Sequence, residues 1–304
     1  MERNTITNKR VIKRLWEYQK ERFPVLFILI SGTAVVLSSA AVSIGASESI
    51  LNIPLKILFA IIVSFLFMLH IRVIDEYRDY LFDSKYHNDR PVQSGVISLK
   101  ELLIIDIAGL FLQFIITASF SLKASILWFA AFGYTIVSGN DFFLGNKIKR
   151  KFFLYNGLNL IQLFIFQFYL YTLFNPNFTL NILLFVHFIF AVSNLFLVEF
   201  ARKMKVTKQE SKVKDTYSSR FGKKGASLIY IFIAFFSFIL LVYSLMIIKP
   251  GITSLGACFF FLDIIVICSL FYIINDNKIS EIVVQGGAAL FYVATHLILT
   301  LSRI

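Results

Sequence analysis

Long apolar runs broken by short polar connections set the plan of this chain. Runs of the length needed to cross a bilayer, roughly twenty residues, fall at 23–44, 54–74, 101–121, 124–140, 153–174, 179–200, 226–248, 252–274 and 282–301. This pattern predicts an all-α membrane protein built as one bundle of nine transmembrane helices. The connections leave no room for a separate soluble domain, so residues 1–304 are expected to form a single polytopic domain, with 1–22 as a cytoplasmic N-terminal segment. The loops after helices 2, 4 and 6 are expected to form a cytoplasmic cap. The clearest part of it is 84–98, where Pro91 and Gly95 break the helix before Ser98 and Glu101 start the next one.

The segment NKRVIKRLWEYQKERFP mixes Trp16, Tyr18 and Phe23 with cations, as a helix lying among headgroups does. Its acids, and the full-length apolar run after it, do not read as a cleavable signal peptide. Hydrophobic residues make up 58% of the chain and charged residues 16%, and the mean hydropathy is +0.76. These values exclude a soluble globule. The net charge of +12 would suggest nucleic acid in a soluble protein, but of the 30 Lys and Arg, 26 fall on alternate connections beginning with the N-terminal tail. The asymmetry is a topology signal that places the N-terminus in the cytoplasm and the C-terminus outside. It also favours anionic lipid headgroups or phosphorylated substrates as partners and gives no reason to expect nucleic acid. Cys258 and Cys268 share one apolar run and read as packing residues. Asp263, near the middle of the eighth run, must be paired, protonated or facing a cavity.

Candidate chemistry concentrates in HIRVIDEYRDYLFDSKYHNDRPVQSGVIS, residues 70–98. Asp75, Asp79 and Asp83 recur every four residues, each rotated about 40° from the last on a helix, and Glu76 joins their face. Like charges at this spacing repel unless a cation sits between them, and oxygen ligands suit a hard divalent ion such as magnesium. A solvated helix end whose acids pair with Arg72, Arg78 and Arg90 has the same spacing. Farther on, Tyr134 and Asp141 share a helical face ahead of Lys147, Lys149, Arg150 and Lys151. A third polar stretch opens with Glu199, Arg202 and Lys203 on one helical turn and runs through Glu210 and Asp215 to Tyr217 and Gly222.

The run Asp75-Glu76-x-x-Asp79-x-x-x-Asp83, followed by Arg90-Pro91-Val92-x-x-Gly95-x-Ile97-Ser98, resembles the first aspartate-rich signature of the UbiA superfamily of intramembrane prenyltransferases. That signature is N-D-x-x-D-x-x-x-D, then R-P-L/V-x-x-G-x-I/V-S/T. Here Asp75 stands in place of the usual Asn and Glu76 in place of the first Asp. The stretch Asp215-Thr216-Tyr217-Ser218-x-x-Phe221-Gly222 resembles the part that follows the second signature, whose D-x-x-x-D is here Glu199-x-x-x-Lys203. The resemblance implies Mg2+ as cofactor, with Asp75, Glu76, Asp79, Asp83 and Glu199 as metal ligands. Arg72, Arg90, Lys149, Arg150, Arg202 and Lys203 would bind diphosphate, and Tyr134, Asp141, Asp215 and Tyr217 would line the acceptor chamber. It implies transfer of an isoprenoid chain from a prenyl diphosphate to a lipophilic or aromatic acceptor, in an integral protein of a bacterial cell membrane.

Four other functions compete with this one. An isoprenoid cyclase or a lipid-phosphate glycosyl or phosphoribosyl transferase of the same type would use the same residues. A CDP-alcohol phosphatidyltransferase needs an Asp-Gly pair, and the chain contains none. A transporter would carry its charges nearer the midplane and show paired broken spans.

Overall fold

The computed structural model describes residues 11–44, 50–207, 216–248 and 252–303. Among these, the long helices in chain order are α1 (Val11–Arg22), α2 (Val25–Ser43), α3 (Pro54–Tyr86), α4 (Leu99–Phe120), α5 (Leu122–Gly139), α6 (Phe152–Phe174), α7 (Ile182–Arg202), α8 (Tyr217–Ile248), α9 (Ile252–Ile274) and α10 (Lys278–Leu301). The nine from α2 to α10 are long and apolar enough to cross a membrane, in agreement with the expected fold class.

Two helices outrun their apolar stretches. α3 has 33 residues, about 50 Å at 1.5 Å per residue, against a hydrocarbon core of about 30 Å. Its charged turns stay helical because acids and arginines at i, i+3 and i, i+4 neutralise each other and because no proline intervenes before Pro91. α8 starts at Tyr217, ahead of its apolar run, and bends at Gly222, whose φ of 69° and ψ of 166° lie in a region open essentially to glycine alone.

The helices gather into two compact units. The first holds the chain up to Thr33 together with Leu55–Pro176, and the second holds Ala34–Pro54 together with the chain from Asn177 on. In the first unit, Phe67 stacks on Phe166 with centroids 4.3 Å apart, and Ile74 Cγ2 occupies the place where a side chain on Gly139 would begin. Polar groups in this core find one another: His70 Nδ1 lies 2.9 Å from Asp106 Oδ2, Trp128 donates to Gln113, and Thr117 pairs with Tyr169. In the second unit, Ser38 Oγ sits 2.7 Å from His296 Nδ1 and 3.1 Å from His187 Nε2, tying α2 to α7 and α10. Cys258 and Cys268 are free thiols, and the close packing of Cys268 against Gly287 fixes the approach of α9 to α10.

The connection from α3 to α4 is folded. Ser94 and Ile97 donate backbone hydrogen bonds to Arg90 and Pro91, and Gly95 takes a φ of 79°. Val92 and Ile97 are buried in a cluster with Tyr18, Phe23, Val73 and Leu102, so apolar burial holds this connection against α1, α3 and α4. Ser98 and Glu101 form a reciprocal capping box at the start of α4, which satisfies amides that a helix N-terminus leaves unpaired. Asp263 is exposed at the middle of α9, on the same stripe as exposed Phe259, Phe260 and Ile267.

Candidate active site

The last turns of α3 carry the acids, but the four carboxylates do not converge. Glu76 and Asp83, seven residues apart, are buried and face α1, whereas Asp75 and Asp79 keep 30% and 37% of their side-chain surface exposed. Glu76 Oε1 accepts from Arg72 Nη2 at 2.5 Å and from Arg22 Nε at 2.8 Å, with Tyr18 Oη at 3.4 Å. Its second oxygen is buried with no hydrogen-bond partner. Asp83 Oδ2 lies 2.5 Å from Arg90 Nη1 and 3.5 Å from Arg22 Nη2. Arg22 therefore bridges the two buried acids. Arg78 serves the exposed pair, with Nη2 2.7 Å from Asp75 and Nε 3.1 Å from Asp79. Four guanidinium groups thus answer four carboxylates.

Tyr18 and Arg22 of this cluster come from α1, whose sequence suggests only an anchor among headgroups. Arg14, Tyr18 and Arg22 recur every four residues, the same interval as the aspartates. Arg14 pairs with Glu101 at 2.6 Å, Tyr18 reaches Glu76, and Arg22 reaches Glu76 and Asp83. That interval was the available signal, a row of donors on one face that meets acids of α3 and α4. Burial, and then the negative charge of Glu76, push the Tyr18 hydroxyl pKa well above the usual phenol value, so it stays a neutral donor.

The connection after α5 adds further polar groups to the first unit. Asp141, Phe142 and Phe143 all take positive φ, between 51° and 56°, a left-handed turn that costs non-glycine residues about 1–2 kcal/mol each. It presents Asp141 to Lys149 Nζ at 2.8 Å and to the Tyr155 hydroxyl at 2.9 Å, and Tyr155 lies within electrostatic reach of Arg78. Tyr134 donates its hydroxyl to the Leu158 carbonyl, which leaves its ring rather than its oxygen for other contacts. Arg150 is exposed.

In the second unit, Glu199 takes a two-point contact from Arg202, at 2.8 and 2.9 Å, and Lys203 Nζ lies at 3.2 Å. Tyr217 is buried and stacks on Phe200, 4.1 Å between centroids. Asp215 and Glu210 lie outside the described residues. A network beside this cluster escaped the sequence reading. Lys205 pairs with Glu281, Tyr272 donates to the Lys205 carbonyl at 2.6 Å, and Lys223 reaches Asp276 at 3.3 Å. The Thr207 amide donates to Asp276 and holds that carboxyl below its usual range. Lys205 and Glu281 are 76 residues apart, so no local spacing marks them.

No group of three or more His, Cys, Asp and Glu among the described residues is arranged to hold a metal ion. Magnesium commonly takes only one or two carboxylates and draws its other ligands from phosphate and water. Asp75 and Asp79, one turn apart and partly exposed, fit that requirement. Glu76 and Asp83, closed on Arg72, Arg22 and Arg90, do not fit it in this arrangement.

No family model matches the sequence, and no curated protein matches it. Solved structures do match along most of its length. A digeranylgeranylglyceryl phosphate synthase is 16% identical with a TM-score of 0.60, covering 96% of this chain and 99% of that one. The apo structure of a UbiA homologue from Aeropyrum pernix K1 is 13% identical with a TM-score of 0.63, over 90% of this chain and 97% of the other. A UbiA homologue from Archaeoglobus fulgidus, bound to DMAPP and Mg2+, is 13% identical with a TM-score of 0.52, over 93% of this chain and 99% of the other. The chain has the fold of these UbiA homologues.

Proposed function

We propose that this chain belongs to the UbiA superfamily and acts as an intramembrane prenyltransferase, moving an isoprenoid chain from a prenyl diphosphate to a lipophilic or aromatic acceptor. The observation that carries the reading is the arginine and carboxylate ladder at the end of α3, residues Arg72 to Arg90, set in a fold shared with a homologue that binds DMAPP and Mg2+.

In this reading the carbon–oxygen bond to diphosphate breaks and its electron pair leaves with the diphosphate. The acceptor then forms the new bond to the allylic carbon and gives up its proton. The negative charge developing on the leaving group is what the site must stabilise. Asp75 and Asp79 would hold a divalent ion, which would supply positive charge against it. Arg72 and Arg90 exchange an acid partner for phosphate oxygens, and a guanidinium fork matches those oxygens in two-point contacts. Glu76 and Asp83 position the arginines, Lys149 and Arg150 add cations from the connection after α5, and Asp141 orients Lys149. In the second unit, Glu199 steers Arg202 and Lys203, cations suited to phosphate oxygens. In the first unit the ring of Tyr134 is offered to the acceptor, its hydroxyl being held by the Leu158 carbonyl.

The closed ion pairs favour a second reading, a member of the same fold whose self-neutralised cluster is structural. One experiment separates the two. Purified protein in lipid nanodiscs receives prenyl diphosphates of several lengths, magnesium and a panel of acceptors, and release of inorganic diphosphate is measured. Turnover that needs magnesium and is lost in a folded Asp79→Asn variant supports the transferase. Equal release from wild type and variant would refute it.

A further inference from the structure

α1 is clamped along the flank that carries Arg14, Tyr18 and Arg22. Arg14 holds Glu101, Tyr18 and Arg22 hold Glu76, and Gln19 accepts from the Val25 amide at 3.4 Å. Between α1 and the spanning helices lies an apolar groove of about 390 Å3, lined by Leu15 and Trp16 of α1, Phe65 and Leu69 of α3, and Leu102 and Ile105 of α4, among others. Its lining is almost wholly apolar, so it favours an apolar occupant over water. A helix with the composition of α1 lies at the level of the headgroups, where the apolar material at hand is lipid. Lys13 and Lys20 are exposed on the flank of α1 opposite Arg14 and Tyr18, and Lys20 Nζ sits 5.4 Å over the Trp16 ring. An apolar slot flanked by cations at the bilayer surface complements a hydrocarbon chain carrying a negative headgroup.

We propose that the groove binds an acyl chain of an anionic phospholipid from the leaflet on which α1 lies, its headgroup on Lys13 and Lys20. The seated lipid fixes α1 and thereby keeps Tyr18 and Arg22 on Glu76 and Asp83. The proposal is independent of prenyl transfer.

The test uses the full chain in detergent and reads Trp16 fluorescence as the difference between wild type and Trp16→Phe, since Trp128 is the other tryptophan. Phosphatidylglycerol with brominated acyl chains is titrated in. Saturable quenching is expected, abolished when Leu69→Phe or Ile105→Phe fills the groove. The surface variant Lys13→Gln/Lys20→Gln should bind about 25-fold more weakly, a factor of about five per cation, and brominated phosphatidylcholine should be weaker to a similar degree. Quenching that rises linearly with lipid and is unchanged in the filled variants would overturn the proposal. Equal affinity for the two headgroups would also overturn it. So would saturable binding that emerges only after residues 2–9 are deleted, which would assign the groove to the chain's own N-terminus.

Discussion

Replacing Arg22 with Met removes the one side chain that bridges the two buried acids of α3 while keeping an aliphatic stem of similar reach. Stripping a buried carboxylate of its sole partner costs about 3–5 kcal/mol. Here neither acid is left alone, because Glu76 keeps Arg72 at 2.5 Å and Asp83 keeps Arg90 at 2.5 Å. The loss should therefore fall to the scale of a charge-assisted hydrogen bond, about 1.5–3 kcal/mol, carried mainly by the 2.8 Å contact to Glu76 and little by the 3.5 Å contact to Asp83. The measurement is SDS-induced unfolding in mixed micelles, followed by circular dichroism, for wild type, Arg22→Met, Glu76→Gln and the double variant. Residues in one ion-pair network couple by about 0.5–3 kcal/mol, and Arg22 with Glu76 should lie in the upper part of that range. A loss below about 0.5 kcal/mol with no coupling would show that α1 does not hold the acids and would refute the reasoning.

Two further outcomes follow from single positions. Asp263 is exposed at the middle of α9, where a carboxylate costs about 2.5–3.5 kcal/mol, so Asp263→Leu should stabilise the protein by up to that amount in the same unfolding assay, and a destabilised variant would mean that the carboxyl has a partner. In the second unit, Arg202→Met and Lys203→Met should each weaken prenyl diphosphate binding by about 1.5–3 kcal/mol in calorimetric titrations. Arg202→Met should change stability by less than about 1 kcal/mol, since its side chain is 66% exposed and solvent screens its pair with Glu199.

Apolar run length made the number of spanning helices legible, because a bilayer fixes how much hydrocarbon a helix must present. The same criterion misjudged where α8 begins, since it measures greasiness and the turns from Tyr217 are helical without being greasy; the charged end of α3 up to Tyr86 was legible from the four-residue spacing of its acids instead. The acid spacing marked the right helix. It could not show which carboxylates would be buried, because that depends on α1 folding back over Glu76 and Asp83, and those contacts join residues 54 and 61 positions apart. Arg72, Arg78 and Arg90 were foreseeable as partners of the acids, being local. Arg22 was foreseeable only by matching one four-residue ladder against another. The contact between Lys205 and Glu281 had no local signature at all, nor did the left-handed turn at Asp141–Phe143, where three residues with side chains adopt a conformation that glycine usually supplies.

The most direct measurement is calorimetric titration of an unreactive prenyl thiodiphosphate into the purified protein, with and without magnesium, for wild type and the Asp75→Asn/Asp79→Asn variant. Binding in wild type should strengthen at least tenfold when magnesium is present, about 1.4 kcal/mol, and the variant should lose that gain while retaining the weaker metal-free binding supplied by its arginines. Equal affinity with and without magnesium in wild type, or an undiminished magnesium effect in the variant, would contradict the assignment of the exposed α3 carboxylates to a diphosphate site.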